Sequence, residues 1–186
     1  MRSRCASLPL SLMLLLSMLP GLSFAATLEQ LSESRLIDES TEIVRGTVVY
    51  CNQTYRQPII WTVCELNVTE RFKGSPAAKV MVYIPGGTTG GLRQSFEGSP
   101  TLTRNSEYLL FLWQGKSGIR QIMGLSQGML KIVKDANGNL MVARAANTED
   151  RFLTPDGKPA QDSDVNLGLN TLRNRISART PRGARQ

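Results

Sequence analysis

From Glu42 to Arg144, short runs of β-branched, aromatic and aliphatic residues alternate with Gly, Pro and Asn punctuation, and this pattern narrows the fold more than any other feature. Strands are expected at 42–51, 59–69, 79–84, around 92–96, and at 107–113, 119–123, 129–133 and 140–144. In the second run Cys64, Leu66 and Val68 alternate with Glu65, Asn67 and Thr69, as a half-buried strand requires. The run Tyr108-Leu109-Leu110-Phe111-Leu112 is nearly all apolar, which predicts a strand buried on both faces. Lys73-Gly74-Ser75-Pro76 and Gly98-Ser99-Pro100 read as turns. Asp135-Ala136-Asn137-Gly138-Asn139 reads as a hairpin, because Asn and Gly tolerate the positive φ that tight turns need.

Two helices flank the strands. Leu28, Leu31 and Ile37, with Glu, Gln and Ser between them, predict a short amphipathic helix ending near Asp38 to Ser40. Leu169, Leu172 and Ile176 predict a second over about 164–177, capped by Ser163 or Asp164. The polar stretch 147–161, with Pro155, Gly157 and Pro159, reads as a loop. The fold class is therefore mainly β: a small antiparallel OB-like β-barrel (oligonucleotide/oligosaccharide-binding type) with a short N-terminal and a C-terminal helix, a β-sandwich being the alternative.

Residues 1–25 have the form of a secretory signal peptide. Arg2 and Arg4 precede an apolar run over 8–19, Pro20-Gly21 breaks it, and Ser23 and Ala25 supply the small residues for cleavage between Ala25 and Ala26. The apolar run is too short to span a bilayer, and no second one follows, so no transmembrane segment is expected in the mature chain. The expected product is exported, periplasmic or secreted, with one domain over 26–178 and an Arg-rich flexible tail over 179–186.

The formal charge of +7 suggests a polyanion partner until it is divided along the chain. Arg2 and Arg4 lie in the signal, and Arg173, Arg175, Arg179, Arg182 and Arg185 at the C-terminus; fifteen basic and fifteen acidic residues remain over 26–170. The body is neutral, which argues against a nucleic-acid partner. Trp61 and Tyr50 are the conceivable base-stacking residues, but arginines and lysines are not interleaved with them, and core or rim packing is the better reading.

Export favours pairing Cys51 with Cys64, two free thiols being the alternative. Strict alternation places Cys64 with Leu66 and Val68 but Cys51 opposite Val44 and Val48, so a disulfide needs a β-bulge near Tyr50 to bring both sulfurs to one side.

The chain contains no histidine, which excludes a Ser-His-Asp triad, a Cys-His pair and imidazole metal ligands. No catalytic, cofactor-binding or metal-ligating residues are assigned, and the expectation is a protein that is not an enzyme. Glu65 and Glu70 have opposite strand parity, and Asp38, Glu39 and Glu42 fall in a polar segment, so all read as solvated surface carboxylates. Asp156, Asp162 and Asp164 do not match a calcium-binding loop. Pro85-Gly86-Gly87-Thr88-Thr89-Gly90-Gly91 lacks the Gly-Lys-Ser/Thr ending and following helix of a phosphate cradle, so its glycines read as turn and close-approach residues. Asn52 and Asn67 begin sequons that have meaning only in a eukaryotic secretory pathway.

These motifs resemble those of a group of exported, uncharacterised bacterial proteins: Ile43-Val44-Arg45-Gly46-Thr47-Val48, Lys73-Gly74, Pro85-Gly86-Gly87 through Gly90, Gly98-Ser99-Pro100 and Leu110-Phe111-Leu112. The likeness continues through Gly124-Leu125-Ser126-Gln127-Gly128 and the Asn137-Gly138 hairpin. The first half is also similar to netrin-like modules, particularly tissue inhibitors of metalloproteinases, in its Val-Arg strand and Phe72-Lys73-Gly74 turn. That resemblance implies an OB barrel. It carries inhibition less well, because those inhibitors chelate the protease zinc with an N-terminal cysteine, and cleavage here exposes Ala26-Thr27-Leu28.

The leading expectation is a non-catalytic module that binds an unknown envelope or secreted protein, with a protease as one candidate. The alternative is a small-ligand protein or a carboxylate/Ser/Thr enzyme with a pocket at the barrel mouth, where Thr88-Thr89 and Asn147 to Asp150 would converge. A third reading tethers the Arg-rich tail to anionic surfaces.

Overall fold

A computed structural model describes residues 27–180. The expected signal over 1–25, the Ala25–Ala26 cleavage site and the tail beyond Thr180 lie outside those residues. The fold is mainly β, with antiparallel pairing throughout the main sheet and a helix near each end.

Strands β2 (Glu42–Arg56) and β3 (Ile59–Lys73) form one long hairpin, and β4 (Lys79–Pro85) pairs with the first half of β3. Strand β7 (Glu107–Gln114) pairs with the first half of β2. On its other side β7 serves two partners in turn: β9 (Met129–Lys134) along Tyr108 to Leu110, and β8 (Arg120–Ile122) along Leu112 to Gln114. Beyond β9 come β10 (Leu140–Arg144) and β13 (Val165–Gly168), the terminal strand. The hydrogen-bonded order is β13-β10-β9-β7-β2-β3-β4 with β8 branching from β7. Strand β8 comes alongside β4, but no ladder joins them among the described residues, so the sheet curls without closing into the expected barrel.

Alternation along β7 divides the interior in two. Tyr108, Leu110 and Leu112 face the inside of the curl, where Val44, Val48, Cys64, Leu66, Val80, Val82, Ile84 and Ile122 meet them. Leu109 and Phe111 face the other way and pack under α1 (Glu33–Glu39) and α2 (Leu169–Arg179), against Leu36, Ile37, Leu172 and Ile176. Truncating any of these fully buried leucines costs about 2–5 kcal/mol by lost transfer and cavity terms.

Register in β2 shifts at Ile43/Val44, Arg45/Gly46 and Val48/Tyr50. The last shift resolves the cysteine parity: Cys51 falls directly opposite Cys64, and the two form a disulfide with Cα atoms 4.1 Å apart. At the middle shift the strands approach so closely that a Cβ on Gly46 would lie 2.6 Å from the Asn67 carbonyl oxygen.

Several boundaries differ from expectation. Residues 27–29 form β1 (Thr27–Glu29), parallel to β11 (Arg151–Leu153), rather than the start of the helix. Helix α1 begins only after Ser32, whose Oγ accepts from the Arg35 N–H at 3.2 Å. The polar stretch 147–161 contributes β11 and β12 (Pro159–Ala160). The C-terminal helix starts at Leu169, with Gly168 and not Ser163 or Asp164 at its cap, because 165–168 pair with β10. It extends through Arg179, which pairs with Asp38, so regular structure passes the expected tail boundary at 178.

Candidate functional site

The two helices cover one face of the β7–β9–β10–β13 region and leave the other as the floor of a groove of about 810 Å³. Strand alternation sends Leu130 and Val142 under the helices and puts Tyr108, Met129, Val133 and Ala143 on the groove side. Lys131 stands exposed on the same floor. The walls are Gly98-Ser99, the segment 144–150 and the edge residues Asp164 to Asn166.

The wall at 147–150 is built by its own side chains. Asn147 Oδ1 accepts from the backbone N–H of Glu149 and Asp150, and its Nδ2 donates to Asp150 Oδ2 at 2.6 Å. Asp150 Oδ2 lies where a Cβ on Gly98 would fall, at 2.8 Å, so glycine at 98 lets the two walls approach. Asp164 Oδ1 accepts from the Ala146 N–H at 2.7 Å. Beneath this wall Arg144 donates both terminal nitrogens to Asp162, with Nη2 to Oδ1 at 2.9 Å; the Asn147 N–H adds 2.9 Å to Oδ2. The Asp162 side chain is only 4% exposed. Burial alone would raise its pKa, but the Arg144 hydrogen bonds and charge and the backbone donors outweigh it and hold the carboxyl below the ordinary aspartate value. Ser126, which also lines the groove, has its Oγ buried without a hydrogen-bond partner.

Thr88 and Asn147 to Asp150 do not share a pocket. Thr88 lines a smaller groove of about 380 Å³ with Gln53, Thr62, Gln94 and Phe96, and Ser99 is common to both grooves. The Gly-rich segment forms a separate hairpin, β5 (Gly87–Thr89) with β6 (Leu92–Gln94), turned at Gly90-Gly91 with φ of +56° and +78°. Its residues are in strand and turn, and no helix follows them.

The carboxylates expected to be solvated are largely engaged. Glu42 is 9% exposed and accepts from Arg71 Nη1 and Arg120 Nε, each at 2.5 Å, tying β2 to β3 and β8. Glu107, not among the carboxylates expected to be solvated, likewise accepts from Arg45 Nη2 at 3.0 Å and from Thr69 Oγ1 at 3.0 Å. Glu70 takes two hydrogen bonds from Arg173, at 2.7 and 3.0 Å, joining α2 to β3. Lys79 and the Tyr50 hydroxyl hold Glu65 below the usual glutamate value. Solvation fails as a description of Glu42 because β2 begins at that residue, inside the cluster of arginines. Asp156, Asp162 and Asp164 are dispersed, on Lys158, Arg144 and the Ala146 N–H, and no acidic cluster suited to a metal occurs among the described residues. Trp61 is buried and packs edge-on against Tyr83 at 6.2 Å, while Tyr50 lies at the surface.

Sequence reasoning missed Lys131, Ser126 and the Arg144–Asp162 pair. Lys131 was detectable from its parity with Met129 and Val133, whereas Arg144 and Asp162 meet only through the packing of the 145–164 segment. Comparison with family models, curated proteins and solved structures returns no match. No helix among the described residues is long and apolar enough to cross a membrane.

Proposed function

We propose that this chain is an exported, non-catalytic OB-like module that binds an extended segment of another envelope or secreted protein in the groove on the uncovered sheet face. The observation that carries the reading is the groove's construction beside a terminal strand: β13 has no strand on its outer side among the described residues, and its residues Val165 and Asn166 form the groove margin. Such an edge can take another strand by main-chain hydrogen bonding while floor residues receive alternate side chains. Met129, Val133 and Ala143 offer shallow apolar contacts. Glu149, Asp150 and Asp164 put three carboxylates on the walls against Lys131 on the floor, the lining Arg144 being paired with Asp162, which favours a partner segment bearing cationic side chains. A secreted protease remains the candidate partner that the netrin-like resemblance suggests.

The test is affinity capture by the mature protein from the periplasmic or secreted fraction, followed by titration of the recovered partner. Saturable binding that is lost in Ala143→Arg, with melting unchanged, is the expected result. Recovery of no saturable partner, or equal binding by Ala143→Arg, would overturn the reading.

A further inference from the structure

Behind the groove, on the face of β9, β10 and β13 that the helices cover, the packing leaves a second hollow of about 430 Å³. Its floor and inner wall are Leu31, Leu36, Phe111, Leu130, Leu167 and Leu172. Leu31, Val165 and Leu167 stay half-buried there, so apolar surface faces an opening and not a filled core. Close-packed interiors leave few voids larger than a water molecule, so a hollow of this volume has to be held open. Polar ties at its margin do this. Gln127, 3% exposed, accepts from the Leu31 N–H at 2.8 Å and donates to the Glu29 carbonyl at 3.0 Å, which fixes the link from β1 to α1. Gln30 Nε2 donates to the Gln161 carbonyl at 2.7 Å, and the Arg144–Asp162 pair anchors the same segment to β10.

The ionisable residues on the lining cancel in charge and are all paired within the chain: Arg144 with Asp162, Arg35 with Glu29 and Glu39, and Glu33 with Arg175 at 2.8 Å. A charged ligand would lose its hydration without gaining a counter-charge, so the lining selects an uncharged one. The walls come from the β1–α1 link, both helices, the sheet and, from the 145–164 segment, Pro155, Asp162 and Ser163. The hollow is therefore more enclosed than the groove, which suits a compact molecule better than a continuous peptide. Its volume lies within the range of about 300–1,000 Å³ common to small-molecule sites, whose linings are likewise mostly apolar with a few polar groups. The residues after Thr180 include no large apolar side chain, so the chain's own end does not suit this lining.

We propose that this hollow is a binding site for a small, uncharged, mainly apolar molecule, with its body against Leu36, Phe111, Leu130, Leu167 and Leu172. Its outer end lies at the exposed Ser32 and Ser163. The site is distinct from the groove: Arg144 and Val165 border both, but strand alternation puts the two floors on opposite faces of the sheet. It does not depend on the groove's binding a protein segment.

The experiment titrates the mature protein into a fixed, low concentration of N-phenylnaphthylamine, an uncharged dye whose emission rises in apolar surroundings. A saturable one-site rise is expected, with a dissociation constant of about 10–200 µM from the ligand efficiency of a molecule of this size. The anionic dye anilinonaphthalene sulfonate, of similar size, should bind roughly tenfold more weakly or worse, because the lining offers no free cation. Leu167→Trp fills the hollow and should weaken binding of the uncharged dye by roughly tenfold or more. Methyl resonances of Leu31, Leu36, Leu167 and Leu172 in the parent protein should shift on adding the dye while those of Met129, Val133 and Ala143 stay in place, a readout that depends on no variant. Absence of a saturable rise, shifts on the groove methyls in place of those leucines, equal affinity for the anionic dye, or undiminished binding by Leu167→Trp would each overturn the proposal.

Discussion

Replacing Glu42 by glutamine removes the one charge that neutralises two arginines at the junction of β2, β3 and β8. The side chains of Glu42 and Arg71 are each 12% exposed and that of Arg120 is 26% exposed. Breaking a fully buried ion pair from one side costs about 3–5 kcal/mol, because the remaining charge keeps its desolvation penalty without its partner. Water reaches Arg120 in part, so the expected loss falls to or below the bottom of that range, about 2–3 kcal/mol. Glutamine preserves the shape, including the packing of the Glu42 methylenes against Gly74, so a cavity adds little. For a domain of this size each kcal/mol lowers Tm by about 2–4 °C, giving a fall of roughly 4–12 °C. Urea unfolding followed by circular dichroism, with a thermal melt on the same samples, measures both. Replacing Glu42, Arg71 and Arg120 together by leucine should recover much of the loss, since an apolar set needs no compensation. A Glu42→Gln protein whose stability loss matches that of Asp156→Asn, in an exposed pair, would refute the argument and return Glu42 to the solvated surface.

Removing the disulfide by Cys51→Ala with Cys64→Ala frees a loop of moderate length and should cost about 3 kcal/mol, read as a lower urea midpoint that matches the reduced parent. Gly46→Ala places a methyl group against the Asn67 carbonyl and should destabilise by about 1–3 kcal/mol, with loss of near-ultraviolet circular dichroism as β2 and β3 separate locally. Asp162 has a folded pKa below its unfolded value, so its pairing with Arg144 contributes stability that is complete above about pH 4 and disappears as the pH falls through the folded pKa. Asp162→Asn should therefore reduce stability at neutral pH and flatten the acid limb of the stability profile, measured by urea unfolding between neutral and acid pH.

Much of the antiparallel sheet was legible from local pattern. The alternation of Cys64, Leu66 and Val68, the unbroken apolar run of β7 and the Asn137-Gly138 turn each arise from backbone geometry acting over a few residues. Failures occurred where a distant partner outweighed local preference. Residues 165–168 have helical company in Leu169 and Leu172, yet they lie as a strand because β10 offers a hydrogen-bonded edge. Residues 27–29 make the same choice against β11.

The candidate site was less legible, because its parts come from β7, β9, β10, β13 and two loops. By itself the sequence determined the β-rich class, the two flanking helices, and the lack of histidine chemistry, since these depend on residue type and short-range periodicity. Tertiary structure decided that Cys51 faces Cys64, that Glu42 is enclosed by arginines, and that the β5–β6 hairpin docks on Gln53 through the Thr88 N–H. Each of these depends on a register shift or on the docking of one hairpin against another, and such pairings are selected by the summed energy of contacts far apart in the chain.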